Sequence, residues 1–283
     1  MPNAREVVTE IARPLLEAFQ HSGSVDSILC FGSYAVGSHD KQSDLDLFVL
    51  CDPAIPPVVD RQARYVDLTG VSEIQVDFRS IGWDTQWNPQ MDKLRLRSVE
   101  IDVCFNTIGW LETVVDKVTV EGLTSVPEMT FRAYTMLGLL ARSIVLYDRR
   151  GRLRATMAKI HPYPPKLKQT LVNENFTILA DRLHEVQECV TREIGNMAFL
   201  FHLCGACDSL MAIILALNER YDSASKRPER DFEGLAIAPA RFAARFERLL
   251  EGPFDDKGRG QAAAELTSLL DETVALAKGM GSA

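Results

Sequence analysis

The apolar positions in the first part of the chain change period several times. Val7, Ile11, Leu15, Leu16 and Phe19 recur at helical spacing and predict an amphipathic helix over residues 4–20. HSGS interrupts it, and Val25 to Phe31 reads as a short buried strand. The small residues from Gly32 to Ser38 and the polar turn HDKQS lead into a second strand from Asp44 to Leu50. CDPAIPP is a loop by its prolines. Ser72 to Arg79 and Ser98 to Phe105 alternate apolar and polar positions, which predicts half-buried strands. WDTQWNPQMDK between them reads as an irregular excursion.

Beyond about Ser125 the pattern is helical. Glu128 to Leu146 predicts one amphipathic helix closed by the turn YDRRGR, and HPYPP is a rigid break. Further helices are expected from Pro165 to Glu188, Ile194 to Arg220, Pro239 to Glu251 and Gln261 to Lys278. The layout is that of an α+β protein, with a mixed-sheet domain over residues 1–125 and a C-terminal helical bundle domain over 126–283. The run from Ile194 to Leu217 is apolar enough to resemble a membrane span. It contains Asn196, His202, Asp208 and Ser209, which are costly in lipid, so a buried helix of a soluble domain is expected and no membrane.

Composition narrows the function classes. Hydrophobic content of 46% and charged content of 25% are ordinary for a globular chain. The net charge of -8 argues against a polynucleotide substrate, whose phosphates call for a basic face. Six cysteines at 30, 51, 104, 189, 204 and 207 lie mostly in apolar runs, as reduced thiols of a cytoplasmic protein do. The acidic, helix-periodic N-terminus does not read as a secretory signal.

The chemistry concentrates in FGSYAVGSHDKQSDLDLFVL. Gly32 allows a close backbone approach, and Ser33 with the amides after it offers donors to phosphate oxygens. Asp44 and Asp46 stand two apart on a strand, so both carboxylates project from one face. Leu45, Leu47 and Val49 then point into the core. Adjacent carboxylates call for a cation, and Mg²⁺ favours such hard oxygens while sharing its other positions with a nucleoside triphosphate.

Phe31, Gly32, Ser33, Asp44 and Asp46 together resemble the signature of the polymerase-β-type nucleotidyltransferase superfamily. With a helical second half, the chain is similar to its aminoglycoside and lincosamide nucleotidyltransferase branch. The resemblance implies a third carboxylate on a later strand. Asp102 is preferred, because Val99, Ile101, Val103 and Phe105 make one face apolar and leave both acidic residues of the strand, Glu100 and Asp102, together on the exposed face. Asp77 competes for that place, and Glu100 is the fallback as base. It further implies Mg²⁺ on Asp44, Asp46 and Asp102, and attack of a small-molecule hydroxyl, with antibiotics among the candidates, on the α-phosphorus of ATP. Two ions about 4 Å apart would assist the departure of pyrophosphate. Relatives of this kind are monomers or homodimers.

An Asn, Tyr and Lys grouping after the long helix also recurs in the resemblance. Here Asn218, Tyr221, Lys226 and Arg227 occupy a polar turn, with Lys226 the preferred contact to phosphate or substrate. A solvated helix end is the competing reading. Asp208, ionisable within an apolar helix, needs a partner or lines an acceptor pocket. His202, Cys204 and Cys207 lack a second ligand pair and read as packing, and His39 as a turn residue. Two alternatives stand beside the small-molecule reading: transfer to a protein or RNA acceptor, and a catalytically silent nucleotide-binding module.

Overall fold

Leucine, valine and isoleucine at alternate positions build one six-stranded sheet in the computed structural model, which describes residues 3–78, 86–129, 132–222 and 228–279. The strands are β1 (Val25–Phe31), β2 (Leu45–Cys51), β3 (Val71–Gln75), β4 (Gln90–Leu96), β5 (Val99–Thr107) and β6 (Ile144–Asp148), in the order β3-β4-β5-β2-β1-β6. β2 and β5 are parallel, and the other neighbouring pairs are antiparallel. The helices of this part are α1 (Ala4–Gln20), α2 (Gly32–Ala35), α3 (Val58–Val66), α4 (Ile108–Asp116), α5 (Tyr134–Ala141) and α6 (Arg152–Ala158).

One sheet face is greasy because of a strict alternation. Leu45, Leu47 and Val49 of β2 and Ile101, Val103 and Phe105 of β5 join Val8, Leu15 and Phe19 of α1 in a single core. Asn3 opens α1 with a reciprocal capping box to Glu6. The same alternation turns Asp46, Phe48, Asp102 and Cys104 to the opposite face.

On the core side, β4 is tied down by a buried ion pair. Arg61 of α3 donates from Nε and Nη2 to the two carboxylate oxygens of Asp92 at 2.8 and 3.0 Å. Tyr65 adds a hydroxyl donor at 2.7 Å and the Asp77 amide another at 2.8 Å. Both charged side chains are wholly buried, so the network is satisfied where half a network would be costly.

Two elements depart from the sequence expectation. The segment read as an irregular excursion contains the start of β4, whose K-L-R-L alternation continues past it. The expected helix from Glu128 to Leu146 resolves into α5 and β6, because Ile144, Val145, Tyr147 and Asp148 pair with β1 at the sheet edge. Short apolar runs of this kind fit either period. The chain divides into Met1–Pro162 and Tyr163–Ala283, and β6 is what carries the first unit past residue 125.

The second unit is made of α7 (Pro165–Thr191), α8 (Asn196–Leu217), α9 (Phe242–Glu251) and α10 (Asp256–Gly279). α7 packs along α8, and α10 touches both. Among the described residues α8 is the one helix long and apolar enough to cross a membrane. Of its most apolar window 61% is buried inside the protein, as in a core helix.

Candidate active site

The site grows from one line of register across four strands. Phe31 of β1 stands opposite Asp46 of β2, Asp46 beside Asp102 of β5, and Asp102 opposite Lys93 of β4. The parallel β2–β5 pairing therefore sets two carboxylates from distant parts of the chain side by side. Asp44, just before β2, adds a third. Carboxylate oxygens of Asp44, Asp46 and Asp102 all lie within 4.8 Å of one another, a grouping able to hold a metal ion.

Gly32 is required for a reason the sequence did not disclose. A Cβ at this position would sit 2.1 Å from Asp46 Oδ2, and the backbone φ is +70°. The close neighbour of this glycine is the carboxylate itself. Ser33 follows in α2, half-buried, and its carbonyl accepts from the Ser38 amide at 2.9 Å. The turn at 40–43 is closed by Asp40, whose Oδ1 accepts from the Gln42 amide and the Ser43 hydroxyl at 2.9 and 3.1 Å.

Asp102 is 7% exposed, and burial first of all raises its pKa. Lys93 offsets this from 3.1 Å, while Asp44 and Glu100 push the value further up. The cluster is thus short of positive charge, and its donors are all hard oxygens. That combination fits a divalent ion bound by carboxylates.

Below the carboxylates the same face is aromatic. The ring of Phe48 meets Phe31, Trp87 and Trp110 edge-on at 6.3, 5.9 and 6.2 Å. Asn106 of β5 secures the Trp87 segment by donating to the Gln86 and Trp87 carbonyls, both at 2.9 Å.

The other sequence candidates separate. Asp77 lies past the end of β3 with its amide on Asp92, and it is not among the three clustered carboxylates. Glu100 is exposed and accepts from Arg95 at 2.5 Å. Lys226 and Arg227 lie outside the described residues. Asn218 is a clamp: its Oδ1 accepts from the Ala236 and Ile237 amides, each at 2.9 Å, and its Nδ2 donates to the Ile214 and Ile237 carbonyls. Tyr221 is buried and stacks on Tyr163 with ring centroids 4.6 Å apart. Asp208 is half-buried in α8.

Among the described residues, His202, Cys204 and Cys207 form no metal grouping, and His202 pairs instead with Arg182 at 3.0 Å. His39 stacks on Tyr34 with centroids 4.1 Å apart. Sequence reasoning missed Lys93, Trp87 and Trp110. The alternation that continues through β4 was the available signal for Lys93.

The match to a family model agrees with this geometry. Residues 12–108 match the model of the nucleotidyltransferase domain family, and residues 130–226 match a domain of unknown function, DUF4037. Among solved structures, the chain is similar to a nucleotidyltransferase-like protein from Exiguobacterium sibiricum at 13% identity and a TM-score of 0.48, over 94% of this chain and 76% of that one. No curated protein matches it. A nucleotidyltransferase domain implies a nucleoside triphosphate as substrate and a divalent metal. Residues 12–108 are therefore a nucleotidyltransferase domain of the polymerase-β type, and the chain is an enzyme of the nucleotidyl-transfer class.

Proposed function

We propose that this protein transfers a nucleoside monophosphate, AMP from ATP, to a hydroxyl of a small molecule and releases pyrophosphate, with Mg²⁺ as the working ion. The observation that carries the reading is the meeting of Asp44, Asp46 and Asp102 within 4.8 Å on one sheet face. Asp44 and Asp46 would hold the ion, and Asp102 would complete the donor set. Bound there, the metal would neutralise the charge of the triphosphate and stabilise its leaving group. Where Asp102 does not ligate the ion, its carboxylate would instead receive the proton of the attacking hydroxyl. Ser33 and the neighbouring amides of α2 would meet phosphate oxygens. Gly32 keeps Asp46 close against the backbone from which they project.

The net charge of -8 supports a small acceptor over RNA, and the resemblance to the antibiotic-modifying branch supports a hydroxylated antibiotic. Six unpaired cysteines, five of them buried, support a cytoplasmic location.

The test is incubation with Mg²⁺, α-labelled ATP and a panel of hydroxylated antibiotics and other small molecules. The expected result is a labelled small product with equimolar pyrophosphate, abolished in Asp44→Asn and Asp46→Asn. Label on protein or RNA would overturn the acceptor class. Turnover unchanged by both substitutions would overturn the site.

A further inference from the structure

Among the described residues, Lys93 is the cation that the register line delivers to the carboxylates. Its Nζ lies 3.1 Å from Asp102 Oδ1, and the side chain is about one-third exposed. The ammonium also sits 5.0 Å from the centroid of the Phe78 ring, so it is held from two sides. Glu100, the neighbouring acid on the same strand, is engaged by Arg95. The backbone beneath Lys93 is fixed by the adjacent residue, because Asp92 is locked to Arg61 and Tyr65 on the opposite face. The lysine is therefore placed at Asp102 by a rigid strand.

We propose that Lys93 is a built-in counter-cation that a divalent ion must displace from Asp102. The inference rests on the metal-binding reading of the three aspartates. Three carboxylates and one ammonium leave two negative charges, which a single divalent ion balances. The first ion enters at Asp44 and Asp46, the pair to which the proposed function assigns it. Asp102 becomes open to a metal only when the lysine lets go, and the Phe78 ring gives the released ammonium a place to stay. The triphosphate brings both the negative charge that attracts Lys93 and the need for a second ion. Loading of the site is thus coupled to arrival of the nucleotide, and nucleotide-free protein is kept from filling with metal. Lys93 acts here through Asp102 and is a positioning residue.

Titration of the nucleotide-free protein with Mn²⁺, followed by the electron paramagnetic resonance signal of the free ion, tests this. Wild type is expected to bind one ion. Lys93→Met keeps the aliphatic stem and removes the charge. An opposite charge at this range is worth about one to three powers of ten in binding a proton, so this variant is expected to bind Mn²⁺ about tenfold more tightly or to take a second ion. Lys93→Arg, which keeps the charge, should titrate as wild type. In an Asp102→Asn background, Lys93→Met should have no further effect, and circular dichroism of each variant checks the fold.

Affinity and stoichiometry unchanged or lowered in Lys93→Met would overturn the proposal, as would a gain that persists without Asp102. If wild type and Asp44→Asn titrate alike, the metal-binding reading itself fails and this inference falls with it.

Discussion

Replacing Gly32 by alanine imposes two costs that a second glycine separates. Gly32 and Gly37 have nearly the same backbone conformation, φ +70° and +71°. A left-handed conformation costs an L-residue about 1–2 kcal/mol. A Cβ at Gly37 would meet nothing within 4 Å, so Gly37→Ala measures that cost alone. At Gly32 the Cβ would lie 2.1 Å from Asp46 Oδ2, whereas ordinary contact begins at 3.4 Å. The carboxylate or the backbone must then shift by roughly 1.3 Å to restore an ordinary van der Waals separation. Metal ligation tolerates deviations of only about 0.2 Å.

Gly32→Ala is therefore expected to lower stability by more than Gly37→Ala, and to lose at least about 10–100-fold in Mn²⁺ affinity, the range seen when the supports of a metal ligand are disturbed. Gly37→Ala should keep wild-type affinity. Chemical denaturation and calorimetric Mn²⁺ titration of the two variants provide the measurements. Equal Mn²⁺ affinity in both would refute the reasoning, because the collision with Asp46 would then have no effect on the site.

Three further outcomes follow from the same structure. Burial raises the Asp102 pKa above its ordinary value of 3.8, so the folded protein holds that proton more tightly than the unfolded chain. The associated stability is present below the ordinary value and is lost as pH rises through the raised one; melting temperatures in chelator should show this loss, Asp102→Asn should remove it, and added Mn²⁺ should offset it. Asp92→Asn leaves Arg61 buried against a neutral partner and should destabilise the first unit by about 3–5 kcal/mol, read by urea denaturation. Asn218→Ala removes the acceptor of the Ala236 and Ile237 amides and should cost about 1–3 kcal/mol with Mn²⁺ affinity unchanged, against a direct role of Asn218 in catalysis.

The catalytic half was legible where residue type and period agreed. The apolar partners of Asp44, Asp46 and Asp102 alternate cleanly, so the facing of all three carboxylates could be read before the pairing of β2 with β5 was known. The long helices of the second half were equally plain, since their apolar stripes run for many turns. Lys93 was hidden because Trp87, Asn88 and Pro89 broke the pattern just before β4, and its partner lies across a strand pairing that no local signal encodes. β6 was read as the end of a helix because Leu139, Leu140, Ile144, Val145 and Leu146 satisfy a helical stripe as well as a strand. Asn218 has the composition of a substrate contact, and only the fold reveals that its amide closes a loop. The role of Gly32 was half legible: the need for glycine was evident, and the atom that demands it was not.

In the proposed function the three aspartates form the metal site at which a nucleoside triphosphate is bound for transfer. Crystals grown with Mn²⁺ and an ATP analogue that resists cleavage between the α- and β-phosphates test it most directly, by anomalous diffraction at the manganese edge. The expected result is an anomalous peak within about 2.0–2.3 Å of carboxylate oxygens of Asp44 and Asp46, with triphosphate oxygens completing its shell. Manganese or triphosphate bound elsewhere, with Asp44 and Asp46 still free, would contradict it.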